Sequence, residues 1–148
     1  MSASAVEPSV DPQLDQVAVE NARLVRAARA ELLEHSPSVT VEMLARARSA
    51  TNGATHQWIR RHRTAGRIVT VEHQGRTLLP SFQFDDVFDL DPTVADIVAQ
   101  LTGYGMDGWA IWRWFHTVNT WIERRPVDAA AVGDTAALAR AADGLTAA

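Results

Sequence analysis

The stretch between residues 40 and 80 constrains the fold most, because its punctuation permits few arrangements. Two short segments of helical spacing flank the break Thr51-Asn52-Gly53, and two β-branched or aliphatic runs then flank Gln74-Gly75-Arg76. Thr40 is placed to cap a helix over about 41–49 with Val41, Leu44 and Ala45 inward. A second helix over about 53–65 has Trp58 and Ile59 as its anchors. Residues 67–73 and 77–79 read as the two strands of a hairpin, and Pro80 ends the unit. Helix, turn, helix, hairpin is the order of a winged helix-turn-helix.

The same segment carries a charge asymmetry. Residues 41–76 hold seven arginines against Glu42 and Glu72, a balance of +5, whereas the other residues sum to −9 and the whole chain to −4. A basic third inside an acidic chain points to one segment that meets an anionic partner. All fourteen basic residues are arginine, whose forked guanidinium suits phosphate or carboxylate. Thr55, His56, Gln57, Arg60, Arg61 and Arg63 read as the exposed positions of the second helix, types that touch base edges and phosphates. Arg67 and Arg76 of the hairpin extend this DNA-binding set. A solvated arginine face, or a helix-turn-helix that docks protein, has the same composition.

On the N-terminal side, residues 1–11 are expected to be disordered, and Asp11-Pro12 opens a helix over about 12–34 that Ser36-Pro37 stops. Its stripe (Leu14, Val17, Ala18, Leu24, Val25, Ala28, Leu32) is narrow and alanine-rich, which suits packing against a partner chain. Beyond Pro80, Ser81-Phe82-Gln83-Phe84-Asp85 reads as extended. Asp91-Pro92 opens a helix over about 92–102, and Asp107 caps another carrying Trp109, Ile111, Trp112, Trp114 and Phe115. Asn119 caps a short turn through Trp121-Ile122, Pro126 starts the next, and Asp134 caps a last helix over about 135–144. The expected fold is mainly α. A helix-turn-helix-like part with a small hairpin over 12–80 precedes an all-α module and tail over 81–148.

Several function classes drop out. The absence of cysteine excludes disulfides, zinc-thiolate sites and thiol nucleophiles. No apolar run approaches the ~18–20 residues needed to cross a bilayer. The first residues lack the basic and apolar regions of a signal peptide, so a cytoplasmic protein without membrane contact is expected. There is no GxSxG, P-loop or dinucleotide glycine pattern, and the five histidines are dispersed. Asp85, Asp86, Asp89 and Asp91 lack the glycine and glutamate of a calcium loop. No catalytic residue, metal or cofactor is expected. Among the clustered aromatic residues, most belong in a core and one or two at a protein interface.

Taken together, Leu79-Pro80-Ser81-Phe82-Gln83-Phe84-Asp85, Gly108-Trp109, Trp114-Phe115, Asn119, Trp121-Ile122 and Arg125-Pro126-Val127-Asp128 resemble the ordered motifs of the Xre/MbcA/ParS antitoxin family. The chain departs from that pattern at Val87-Phe88 and Glu123-Arg124, where the family often has glycine. The resemblance implies the antitoxin of a type II toxin–antitoxin pair, whose usual partner is a RES-domain toxin that degrades NAD⁺. It implies that the C-terminal module is toxin-binding and obstructs the toxin's active site, and that the N-terminal part can bind the operon's promoter. It places toxin contact on Trp109, Trp114, Phe115, Asn119, Trp121, Arg125 and a tail around Leu138, Arg140 and Leu145. A homo-oligomer or a hetero-oligomeric complex is the expected assembly. The competing expectation is a stand-alone transcriptional regulator whose helical module dimerises.

Overall fold

The computed structural model describes residues 11–147. The expected disorder over 1–11 lies outside them, except at Asp11, which is an ordered cap: its carboxylate accepts from the Gln13 amide. Element order is α1 (Pro12–His35), β1 (Ser38–Thr40), α2 (Val41–Ala47), α3 (Asn52–Thr64), β2 (Val71–His73), β3 (Arg76–Pro80), a 3-10 turn (Ser81–Gln83), α4 (Pro92–Gly103), α5 (Gly108–Phe115), α6 (Pro126–Ala131) and α7 (Thr135–Asp143). The described residues are thus mainly helical with one small antiparallel sheet.

Local chemistry sets most of these boundaries. Thr40, Thr51, Asp91, Asp107 and Asp134 each accept a backbone amide from the first turn that follows, satisfying donors that a helix start leaves open. The hairpin turns at Gln74 and Gly75, both at positive φ, the backbone that a two-residue turn requires.

Three features differ from the sequence expectation. Ser38–Thr40 is a strand, because it pairs with β3 at the register Val39↔Leu79, so the sheet has three strands in the order β1-β3-β2. Residues 67–70 are not a strand, because the Gln83 side chain takes the place of a neighbouring strand. Its Oε1 accepts from the Val69 amide at 2.8 Å, and its Nε2 donates to the Val69 and Pro80 carbonyls at 2.9 and 3.0 Å. A buried peptide group must find a partner, and here a buried glutamine supplies it. The 3-10 turn that sets Gln83 in place replaces the extended segment expected after Pro80.

The sheet region faces two cores. Val39, Val41, Leu44, Ile59, Ile68 and Leu79 form the smaller one beneath α2 and α3. Val69 and Val71 instead join Val98, Leu101, Ile111, Trp112, Phe115 and Leu138 in the larger one. Ile68 and Val69 part company because successive residues of an extended chain point to opposite sides. The hairpin therefore packs into the C-terminal helices as well as onto α2 and α3.

Helix α1 is tied down at one end. Leu32 and Leu33 pack against the larger core, and Ser36 just beyond the helix is buried. Ser36 Oγ accepts from Trp112 Nε1 at 2.9 Å. His116 Nδ1 donates to the Trp112 carbonyl at 2.9 Å, since a carbonyl only accepts, which leaves Nε2 to accept from the Ser36 hydroxyl at 3.1 Å. Burial holds the His116 pKa below its ordinary value, consistent with this neutral ring. Across the preceding turns of α1, Leu14, Val17, Val19, Leu24 and Val25 are all exposed.

Candidate functional site

The basic surface is built on α3. Ile59 and Thr55 turn inward, and the Thr55 hydroxyl donates to the Thr51 carbonyl at 2.9 Å. Thr55 is thus corrected from the DNA-contact set: at 1% exposure it is a packing residue. His56, Gln57, Arg60, Arg61 and Arg63 are exposed, as is Arg76 at the start of β3. His56, Ile59, Arg60, Arg63 and Thr64 of α3 line a groove of about 440 Å³ that Thr77 of β3 closes. A groove with one helical and one hairpin wall, edged by guanidinium groups, matches what a phosphate backbone requires.

Two further arginines of the basic third serve the scaffold. Arg67 Nη1 is held by Asp96 of α4 at 2.7 Å, so its charge is already matched. The pairing holds Arg67 against α4, outside the groove that α3 and Thr77 line. Arg48 lies over the Trp58 ring at 4.0 Å and donates to the Phe88 carbonyl and to Asp89 at 2.8 and 2.5 Å. The acidic loop is thereby tied to α3, and the Asp85 carboxylate closes it by accepting from the Val87 and Asp89 amides, each at 3.0 Å. His62 sits edge-on to Trp58, and burial, with Arg67, Arg61 and Arg48 around it, pushes its pKa down.

The resemblance-derived residues of the second half divide into core and surface. Phe115 and Leu138 are buried, Phe115 against Phe82 at 4.5 Å between ring centroids, so neither can touch a partner. Leu138 belongs to α7, which packs through Ala137, Leu138 and Ala142 into the larger core. What the resemblance treats as tail is therefore mostly a structural helix. Trp109 is half-buried, stacked on Trp112 at 5.5 Å with Arg29 of α1 at 4.9 Å from its ring. Trp114 is half-buried too, and its Nε1 has no hydrogen-bond partner. Arg125 is exposed but forked onto Asp128 at 2.9 and 3.0 Å, and Arg140 is exposed.

Trp121 behaves differently. Asn119 builds its turn: the Asn119 carboxamide accepts from the Trp121 amide at 2.9 Å, and an isolated bridge joins Asn119 to Arg124. Glu123 takes a positive φ to close the loop, and Arg124 pairs with Asp134 at the start of α7. The ring is held against Gly144, where a Cβ would stand only 2.3 Å from its Cδ1. Despite these constraints Trp121 remains 58% exposed, with Leu145 also exposed just beyond α7. Sequence pattern alone did not separate Trp121 from its buried neighbours. The signal was available in Asn119 two residues before it, a residue that stops a helix and starts a turn.

No protein-family model matches this sequence, and no curated protein matches it either. Among solved structures, the fold is similar to that of Rv2175c. The NMR structure of Rv2175c superposes with a TM-score of 0.55 at 20% identity, covering 72% of this chain and 82% of that one. An identity this low speaks for shared architecture and leaves the side-chain chemistry to be argued from this chain's own residues.

No group of metal-ligating side chains occurs among the described residues, and none of their helices is long and apolar enough to cross a membrane.

Proposed function

We propose that this chain is the antitoxin of a type II toxin–antitoxin pair, neutralising a RES-domain, NAD-degrading toxin by covering its active site, and that it binds promoter DNA through α3 and the hairpin. The observation that carries the first part is Trp121: a large ring on a turn that Asn119 closes, seated against Gly144 yet presented to solvent. An exposed tryptophan is the residue type on which protein interfaces concentrate their energy. It lies within the motif run from Asn119 to Asp128 that carries the family resemblance. Covering a cleft needs only an interface. The groove edged by His56, Arg60 and Arg63 supports the DNA-binding part.

Co-expression with the adjacent reading frame tests the proposal, scoring growth, NAD⁺ content and co-purification together. The neighbour should be toxic alone, and this chain should restore growth and co-elute with it. Trp121→Ala should weaken that complex by at least ~2 kcal/mol, about thirtyfold in Kd, with the fold unchanged. The pair Arg60→Ala and Arg61→Ala should leave rescue intact, lower promoter affinity and reduce its salt dependence by about two phosphate contacts. A harmless neighbour that does not co-elute, together with promoter binding lost in the arginine variant, would replace the antitoxin by a stand-alone regulator.

A further inference from the structure

We propose that α1 is a self-association element, pairing antiparallel with α1 of a second copy of this chain about a two-fold axis at Asn21. The body of the fold accounts for only the C-terminal end of this helix. Ala28 and Leu32 line the contact with α5, whereas Leu14 is 67% exposed. Leu14, Ala18, Asn21 and Val25 continue the same face at the four-three-four spacing of a helical seam, with Val17 and Leu24 along its edge. An unpacked helical stretch of about 12–15 residues is marginal in water, so a partner along this seam is what would hold it.

Charge selects both the partner and its direction. Over the second half of α1 Arg26 and Arg29 are offset by Glu31 and Glu34, and Arg23 pairs with Glu20, so the charge asymmetry is confined to one flank, where Asp11 and Asp15 precede Arg26 and Arg29. Parallel copies would align like charges. An antiparallel copy reverses this, and Asp11, Asp15, Arg26 and Arg29 all lie on one flank of the seam by helical spacing. With the axis at Asn21, Asp15 of one copy lies beside Arg26 of the other. A lone polar residue within an apolar seam sets register, and Asn21 opposite its own symmetry mate does so here.

The same register brings Leu14 of the second copy opposite Ala28. There Val25, Ala28 and Leu32 of α1 and Trp109 and Ala110 of α5 leave an open groove of about 170 Å³. The second copy's helix thus meets an apolar seat where α1 joins the body.

The full chain, free of cysteine, makes the test direct. Sedimentation equilibrium at tens of micromolar should give twice the chain mass of 16.2 kDa. Leu14→Asp with Val17→Asp should give monomer whose body still unfolds cooperatively, with helical signal lost only from the first turns of α1 that the partner no longer holds. Asp15→Arg should raise the dimer Kd at least about tenfold, and adding Arg26→Asp should restore it, because these positions are too far apart on one helix to compensate within a chain. Under oxidation Asn21→Cys should cross-link, while Leu14→Cys should not, since an antiparallel pair separates those positions by about 21 Å along the axis. A monomeric wild type would overturn the proposal, as would a dimer that survives the Leu14 and Val17 substitutions. Cross-linking through Leu14→Cys in preference to Asn21→Cys would overturn it as well.

Discussion

Gly108→Ala should destabilise the fold by about 3 kcal/mol, the upper end of what overpacking costs. The first residue of α5 passes so close to the hairpin that an added Cβ would stand 2.1 Å from the Thr70 carbonyl oxygen and 3.1 Å from its carbon. Both are backbone atoms, and Val69 beside them is clamped by Gln83, so the obstruction cannot swing aside. Either α5 moves off the sheet or residues 70–71 shift, and each route opens the larger core. Thermal unfolding should show a melting temperature lower by about 10 °C. Gly53→Ala is the matched control. Gly53 lies near the start of α3 with nothing within 4 Å of its added Cβ, so that variant should be neutral or slightly stabilised by helix propensity. Equal melting curves for the two variants would show that α5 does not press on Thr70.

Trp112→Ala should cost about 3–5 kcal/mol, most of the margin of a small domain. The ring is fully buried at the centre of the larger core, and its Nε1 is the group that holds Ser36 and with it the end of α1. Trp112→Phe separates the two roles. It keeps an aromatic ring but removes the donor, and Ser36 retains His116 as a partner, so the expected loss is only about 1–2 kcal/mol. Denaturant unfolding monitored on the full chain gives both values. Losses of equal size would mean that the hydrogen bond, and not the packed ring, carries the stability. The Phe variant should also loosen α1 before the rest of the fold melts, visible as faster amide exchange near Leu32 and Leu33.

These two sites show where sequence reading reached and where it stopped. Asp91-Pro92 and Asp107 marked helix starts because capping is an interaction over three residues, complete within the local sequence. Gln74-Gly75 marked the hairpin for the same reason, since the turn's positive φ values are a property of those two residues. By contrast, α5 places Trp109, Trp112, Trp114 and Phe115 within eight residues, and periodicity alone could not rank their burial. Phe115 is covered by Phe82, and Trp112 lies in a core shared with Val69 and bonds Ser36, partners that lie far away in the chain. Thr55 was misplaced among the DNA contacts on similar grounds. A threonine on a basic segment looks exposed until a buried helix face claims it.

Local chemistry in the sequence determined the mainly helical architecture, the helix-turn-helix-hairpin order, the helix starts and the basic face of α3. Each depends on interactions between residues a few positions apart. Tertiary structure alone decided that Ser38–Thr40 is a strand, that Gln83 stands in for one, that Ser36, Trp112 and His116 form a clamp, and that Trp121 is the tryptophan left in solvent. Those outcomes depend on which distant surfaces meet, and a burial or a hydrogen bond between remote residues leaves no periodic trace in the chain.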